Sequence, residues 1–189
     1  MTHLPSLKTS TLLVLALLVF SATVACESAA DTANPKTYTR DGIQFHYPGN
    51  WKVESDESDP SGFRTIIIET PGDGLAMIQH FEVAPATSTQ EYAELFSRLT
   101  KEEIPIGEVT PSTYKEYTFT NPVNSQVMTG VQERFAIEVI GEKVPHVRAY
   151  VGFNEQLPKS VFICQVASED LAHVKPGCDQ VLQHLEIKD

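Results

Sequence analysis

Basic residues are scarce in this sequence: its 189 residues include 14 Lys and Arg against 25 Asp and Glu, a formal net charge of −11. All of the acidic residues follow Cys26, so the chain after that cysteine carries the whole negative charge. A field of this sign repels nucleic acid and anionic lipid headgroups. We therefore expect no nucleic acid partner and interpret the charge as a soluble acidic surface; an acidic patch that binds a basic partner is the alternative.

Local signatures of the common enzyme classes are also missing. The sequence has no G-x-S-x-G elbow, phosphate-binding loop, dinucleotide fingerprint, H-E-x-x-H or C-x-x-C. Catalytic groups can assemble from distant positions, but none of the serines stands in a recognisable nucleophile context. The sequence therefore predicts a protein that is not an enzyme and needs no cofactor.

An apolar run is present near the start of the chain, over residues 12–20. It follows a weakly basic stretch with His3 and Lys8, and small residues then lead to Cys26. This order is typical of a secretory signal peptide, and the run is shorter than the roughly 20 apolar residues of a membrane span. We therefore assign residues 1–25 to a signal peptide; a retained anchor helix is the alternative.

The end of this leader, Thr23-Val24-Ala25-Cys26, resembles a lipobox, the motif at which bacterial lipoproteins are processed. The resemblance implies cleavage before Cys26 and a diacylglycerol thioether on its sulfur. Two or three acyl chains hold a protein stably on a lipid bilayer, whereas one does not. We therefore expect a protein of the bacterial cell envelope, anchored by Cys26 and facing the periplasm. Cleavage near Ala25, which would leave Cys26 as a free thiol, is the alternative.

Polar and small residues follow the lipobox. Residues 27–35 contain no large apolar side chain, so they cannot bury enough surface to pack. We predict a lipidated cysteine and flexible tether over residues 26–37 and one domain over residues 38–189. A domain of roughly 150 residues buries about two-thirds of the surface of its unfolded chain, which is enough for a core.

Two further cysteines, Cys164 and Cys178, remain as an even pair in an exported protein. A disulfide between them closes a loop of about 15 residues, a constraint worth about 3 kcal/mol in the chain-entropy model. We favour this bridge; two buried reduced thiols are the alternative. No second Cys or His pair lies at ligand spacing, so we expect no metal centre at these cysteines.

Apolar periodicity predicts an α+β fold. Alternating and β-branched runs indicate about seven strands in a mostly antiparallel central sheet, flanked by two helices. The first helix begins near Gln90 after a cap at Thr87 or Ser88, and the last is interrupted at Pro176. The apolar face predicted for the first helix consists of Tyr92, Leu95, Phe96 and Leu99.

The segment Thr39–Val53 resembles the opening of PsbP/DcrB-like domains. It contains a Gly at position 42, an alternating strand, the pair Tyr47-Pro48 and then Trp51, and the order of elements that follows is also similar. The resemblance implies an α-β-α sandwich and, usually, no catalysis; DcrB-like members are small envelope lipoproteins. The matching positions are structural, so no functional residue is carried over.

Three histidines, His46, His80 and His146, fall on predicted strands. If the strands pair suitably, two of the imidazoles meet Glu82 or Glu138 at a metal ion. The alternative, which we favour, is that the histidines are scattered over the sheet and that there is no metal site.

Together these features predict a non-enzymatic envelope lipoprotein. Its expected partners are the lipid bilayer, through acylated Cys26, and an envelope protein complex that it docks on or helps to assemble. The alternative is a lipoprotein that binds a small molecule or a metal ion, or, less favoured, a hydrolase at the membrane surface.

The lipobox generates a direct test of export and anchoring. The protein purified from bacterial membranes should have the mass of a chain that begins at Cys26 and carries acyl chains, and should gain two hydrogens on reduction. Cys26→Ser should release the protein from the membrane fraction, whereas Ser28→Ala should not. A full-length and unmodified mass would contradict the assignment of the leader.

Overall fold

The computed structural model describes residues 28–72, 74–102, 107–153 and 157–188; the predicted signal peptide and Cys26 lie outside this part of the chain. Two helices and eleven strands are described, and every strand pair is antiparallel. This confirms the predicted α+β class. Neither helix is long and apolar enough to cross a membrane.

The elements in chain order are β1 (Lys36–Arg40), β2 (Ile43–Tyr47), β3 (Lys52–Ser58), β4 (Phe63–Glu69), β5 (Leu75–Phe81), α1 (Thr89–Glu102), β6 (Glu108–Val109), β7 (Thr113–Thr120), β8 (Val127–Val139), β9 (Glu142–Phe153), β10 (Ser160–Ala167), α2 (Leu171–His184) and β11 (Glu186–Ile187). Eight strands form the main sheet in the order β3-β4-β5-β10-β9-β8, with β6 and β7 both paired to β8. The other three form a small sheet in the order β1-β2-β11. The sequence predicted a single central sheet, and the structure has two. The alternation of residues 43–47 identifies β2 as a strand, but it does not show that β2 pairs with β1 and β11 instead of joining the main sheet.

The sequence of β10, near the middle of the main sheet, explains the layers of the fold. Successive side chains of a strand point to opposite faces, and in β10 both sets are apolar and buried. Phe162 and Val166 pack with α2, whereas Val161 and Ile163 pack with α1. The two helices therefore cover opposite faces of the sheet, which gives an α–β–α sandwich.

Helix α1 begins where its cap was predicted. The Ser88 hydroxyl accepts a hydrogen bond from the Glu91 amide at 3.1 Å, and the Glu91 carboxylate accepts one from the Thr87 amide at 2.8 Å. The prediction that Leu99 belongs to the apolar face is wrong, because its side chain is 52% exposed. The helix instead turns Tyr92 and Ala93 into the core.

Helix α2 is continuous through Pro176, so the predicted interruption is wrong. A proline inside a helix removes one hydrogen bond and leaves a carbonyl group free. Pro176 and Ala172, whose carbonyl loses its donor, both lie on the exposed side of α2, where water can bind. A disulfide from Cys178 to Cys164 of β10, with an S–S distance of 2.12 Å, holds the following turn on the sheet.

Trp51 packs against α2 at Gly177 and is almost fully buried. A Cβ atom at position 177 would lie 2.6 Å from Cη2 of Trp51 and 2.8 Å from Cγ of Pro48. These distances are too short for any side chain, so glycine is required here by the close approach of two rings. The contact fixes the position of α2 against the turn between β2 and β3.

Residues 28–35, termed the docked segment below, differ from the tether predicted over 26–37. The Ala30 amide donates to the His173 carbonyl at 3.0 Å, and the Thr32 carbonyl accepts from Nε2 of Gln180 at 3.0 Å. The Asp31 amide donates to Oδ1 of Asn50 at 2.8 Å. Hydrogen bonds thus hold a polar segment that has no large apolar side chains. Amino-acid composition alone does not show that such bonds form.

An ion pair within the main sheet, between Arg64 of β4 and Asp56 of β3, is hydrogen-bonded to β1 of the small sheet. Arg64 of β4 donates from Nε and Nη2 to the two carboxylate oxygens of Asp56, at 2.8 and 2.9 Å, and also donates to the Arg40 carbonyl at 3.3 Å. The Tyr38 hydroxyl donates to the same carboxylate. The hydrogen bond from Arg64 lowers the pKa of Asp56, so this carboxylate stays ionised.

The packing at Gly177 predicts that Gly177→Ala destabilises the protein. Alanine normally stabilises a helix relative to glycine by about 1 kcal/mol, whereas overpacking costs about 1–3 kcal/mol. We expect a net loss of roughly 1–2 kcal/mol in the free energy of unfolding, measured by urea denaturation. In a Trp51→Leu background, where the indole is absent but Cγ of Pro48 remains 2.8 Å from the new Cβ position, the same substitution should cost less than in the wild type. A stabilising effect in the wild-type background would show that the contact is looser than described.

Candidate functional site

A cleft of about 390 Å³ lies beside the C-terminal end of α2. Its walls come from β2, from the turn between β7 and β8, and from the chain leading into β11. Uncharged polar side chains dominate the lining: Gln44, Asn121, Asn124, Gln126 and Gln183. Met128, Phe153, Leu182 and Leu185 provide an apolar part. We refer to this concave surface as the cleft.

Asn121 builds one wall of the cleft. Its side-chain amide donates to the Gln183 carbonyl of α2 at 3.0 Å, and its side-chain oxygen accepts from the Val123 amide at 2.9 Å. Its own amide donates to the Gln126 carbonyl at 2.8 Å, across the turn. One buried asparagine therefore shapes the turn between β7 and β8 and attaches it to the helix.

Two stacked imidazoles also line the cleft. The rings of His46 and His184 have centroids 4.5 Å apart and an interplanar angle of 22°. Nδ1 of His184 lies 3.0 Å from the Gln180 carbonyl. A carbonyl oxygen only accepts, so Nδ1 is the donor in this hydrogen bond. The pair thus offers aromatic surface and polar ring nitrogens to the cleft.

The charge of the cleft is low. Among the described lining residues, Glu186 alone carries a carboxylate. Its side chain is largely exposed, and its Oε2 lies 4.0 Å from Nζ of Lys188. Side-chain amides both donate and accept, as the peptide group does. The cleft is therefore suited to a neutral ligand with hydrogen-bonding groups and an apolar part, and less suited to a phosphate or a cationic ligand.

Exposed apolar side chains lie at the rim of the cleft, in the turn between β7 and β8 and at the first residue of β8. Val123 is 71% exposed and Val127 is 61% exposed. Single exposed apolar residues are common on protein surfaces, but two that adjoin a concave site indicate an area that a partner can cover.

A second cluster of polar groups lies on the other face of the main sheet, beneath α1. Glu133 is completely buried and accepts a hydrogen bond from Nη1 of Arg148 at 3.2 Å and from the Tyr150 hydroxyl at 2.7 Å. Ser97 and Ser112 donate to its other carboxylate oxygen. The guanidinium of Arg148 also lies 4.9 Å from the centre of the Phe135 ring.

Hydrogen bonds and charge keep Glu133 ionised. Burial alone would raise its pKa, but the hydrogen bonds from Ser112 and Ser97 and the charge of Arg148 outweigh this effect, and the pKa lies below its ordinary value of 4.5. For Tyr150, burial raises the pKa of the hydroxyl, which remains a donor. The cluster is thus a satisfied buried ion pair.

The same cluster brings Lys101 and Ser112 together, the residue types of a Ser–Lys catalytic dyad. Nζ of Lys101 also lies 3.4 Å from the Glu133 carboxylate. A lysine that serves as a general base must accept the serine proton, whereas Nζ of Lys101 donates a hydrogen bond to the Ser112 hydroxyl. The Ser112 hydroxyl donates a hydrogen bond to Glu133, so the arrangement stabilises the hydroxyl rather than activating it as a nucleophile.

The structure separates the three histidines singled out from the sequence. Nδ1 of His80, on β5, lies 2.8 Å from the Ser160 hydroxyl, and His146, on β9, stacks on Phe135. His46 lies in the small sheet. In the part of the chain that is described, no three His, Cys, Asp or Glu side chains are placed to hold a metal ion, so the suggested meeting with Glu82 or Glu138 is not formed.

Sequence reasoning found His46 but missed the residues that surround it. His184, its stacking partner, lies 138 positions away, and its signal was only a histidine at the end of the last helix. Asn121 was missed because an asparagine between two strands normally indicates a turn and nothing more. The cleft is formed by long-range contacts, which local patterns do not encode.

The fold is that of a three-layered α+β protein with an antiparallel main sheet. No family model matches the chain, and no curated protein matches it. It is similar to the solved structure of LpqN from Mycobacterium tuberculosis, described as involved in cell envelope biogenesis, with a TM-score of 0.38 and 12% identity over 82% of this chain and 90% of that chain. It is also similar to PA94 from Pseudomonas aeruginosa, described as a protein of unknown function, with a TM-score of 0.36 and 12% identity over 82% and 99%. Similarity at this level assigns neither a family nor a function.

The buried ion pair predicts a pH-dependent contribution to stability. Glu133→Gln leaves the Arg148 guanidinium buried without its counter-charge, which should reduce the free energy of unfolding at pH 7 by about 3 kcal/mol. The pKa of Glu133 is lower in the folded than in the unfolded chain. Its contribution is therefore complete above about pH 4.5 and disappears as the pH falls through the lowered folded pKa.

Urea denaturation of wild type and variant between pH 7 and pH 3 measures this difference, which should shrink towards the acid end. Glu138→Gln is the matched control, because Glu138 forms a half-exposed pair with Lys143 at 3.3 Å and should contribute less than about 1 kcal/mol. A difference for Glu133→Gln that stays constant over this range would contradict the electrostatic explanation.

Proposed function

We propose that the protein is a non-enzymatic lipoprotein of the bacterial envelope, anchored by Cys26, and that its domain docks on a membrane protein complex or assists its assembly. The observation that carries this proposal is the cleft together with the exposed Val123 and Val127 beside it. The anchor itself rests on the lipobox at residues 23–26.

The chemistry of the cleft favours a stretch of polypeptide as the docked group. Side-chain amides such as Gln44 and Gln183 can hydrogen-bond a peptide backbone in an extended segment. The apolar part at Met128 and Phe153 can accept one side chain of that segment, and Val123 can cover it from the rim. A neutral lining gives no selection for strongly charged segments.

A second candidate function is the binding of a neutral small molecule in the same cleft. Its volume of about 390 Å³ falls within the range of small-molecule sites, and the stacked rings of His46 and His184 offer a flat surface. This candidate predicts that His46→Ala abolishes binding of a ligand that copurifies with the wild-type protein, detected by native mass spectrometry.

Photo-crosslinking in living cells tests the docking proposal. A benzoyl-phenylalanine at Val123 should give a discrete protein adduct, whereas the same probe at Val83, which is also exposed but lies after β5, should not. Asn121→Ala detaches the turn from α2 and should reduce the Val123 adduct severalfold. Identical adducts from both positions, or an adduct unaffected by Asn121→Ala, would contradict docking at the cleft.

A further inference from the structure

We propose that the docked segment and the first turn of α2 form the membrane-facing side of the domain. The occupant of this side is the headgroup layer of the bilayer that carries Cys26, and the cleft lies at the other end of α2 from the first turn. This inference rests on the lipid anchor of the proposed function.

The chain between the anchor and the domain is short. The docked segment is tied to α2 by the Ala30–His173 and Thr32–Gln180 hydrogen bonds, and to the turn after β2 by the Asp31–Asn50 bond. Two peptide steps separate Cys26 from Ser28, and they span at most about 7 Å. An acylated Cys26 therefore holds this side of the domain within a few ångströms of the lipid headgroups.

The position of the cleft follows from the geometry of α2. His173, which binds the docked segment, lies in the first turn, and His184, which lines the cleft, is the last residue of the helix. Eleven residues of α-helix rise roughly 17 Å. The Ala30 contact, the contact with α2 nearest to the anchor in sequence, therefore lies at the end of α2 opposite the cleft, and from there the docked segment runs along the helix to Gln180.

The chemistry of this side fits contact with headgroups through the anchor and not through lipid charge. Ser28, Thr32, Asn34 and Asn50 are exposed and uncharged. Glu169, which is exposed just before α2, adds negative charge, the exposed Lys175 is paired with Asp179, and the chain as a whole carries −11. Anionic lipids repel such a surface, so charge opposes any tilt that would lay further parts of the domain on the bilayer.

Fluorescence quenching on membranes tests the orientation. The full-length acylated protein is reconstituted into phosphatidylcholine vesicles that contain a lipid with a nitroxide-labelled headgroup. Bimane is attached to the new cysteine of one of two variants, Ala172→Cys or Asn124→Cys. Both positions are exposed; residue 172 lies in the first turn of α2, and residue 124 lines the cleft at the other end of the helix. An introduced thiol is the reactive one, because Cys164 and Cys178 are bonded and Cys26 is a thioether. We expect loss of most of the bimane fluorescence at position 172 and little loss at position 124.

Two changes to the tether serve as controls. Ala30→Pro removes the amide that binds His173 and leaves the bonds to Asn50 and Gln180, so it should loosen the end of the docked segment nearest the anchor and restore part of the fluorescence at position 172. Ala29→Pro, which keeps that amide, should leave the quenching unchanged. A long Gly-Ser insertion after Glu27 leaves the domain untouched and should also restore the fluorescence.

The outcomes separate this inference from the proposed function. Vesicle flotation with equal quenching at positions 172 and 124, or quenching that is insensitive to the Gly-Ser insertion, overturns the orientation and leaves the anchor intact. A protein that does not float with the vesicles overturns the anchor and the orientation with it. Flotation with selective quenching at position 172 that the insertion abolishes supports both.

Discussion

The close contact between Trp51 and Gly177 determines where α2 lies, and most surfaces of functional interest depend on α2. The helix carries His184 into the cleft, presents the Gln183 carbonyl to Asn121 and receives the docked segment at His173. The disulfide of Cys178 adds a covalent constraint one residue after the contact. A large rigid ring against a helix backbone permits one arrangement, because interiors are packed to crystal density and adapt poorly.

The opposite face of the sheet is organised on a different principle. Beneath α1 the core contains the ion pair of Glu133 and Arg148, with donors from Ser97 and Tyr150. A buried pair of this kind adds little net stability compared with apolar packing, because the desolvation of both charges opposes their attraction. The pair does destabilise any pairing of β8 with β9 that leaves Glu133 or Arg148 buried without the other. We infer that the ion pair fixes the position of α1 on β8 and β9, whereas the close fit of Trp51 against Gly177 fixes the position of α2.

The elements of the fold could be predicted from the sequence to the extent that local patterns define them. The buried run of β10 and the Ser88 cap of α1 were recognisable because period, side-chain type and capping act within a few residues. The small sheet and the course of the docked segment were not, since both depend on partners elsewhere in the chain. The same holds for the cleft: His46 was visible on a strand, but its pairing with His184 is a property of the folded molecule.

A short tether changes what a lipoprotein domain can do. A domain on a long flexible linker samples many orientations, and each binding event must then bear the full entropic cost of orienting it. On the proposed orientation, the hydrogen bonds of Ala30 and Asp31 hold the domain close to the bilayer before any partner arrives. Much of the orientational cost is then met during folding, and a weakly binding, neutral cleft becomes sufficient. A partner must in turn present its polypeptide segment above the headgroups, at the end of α2 that carries His184.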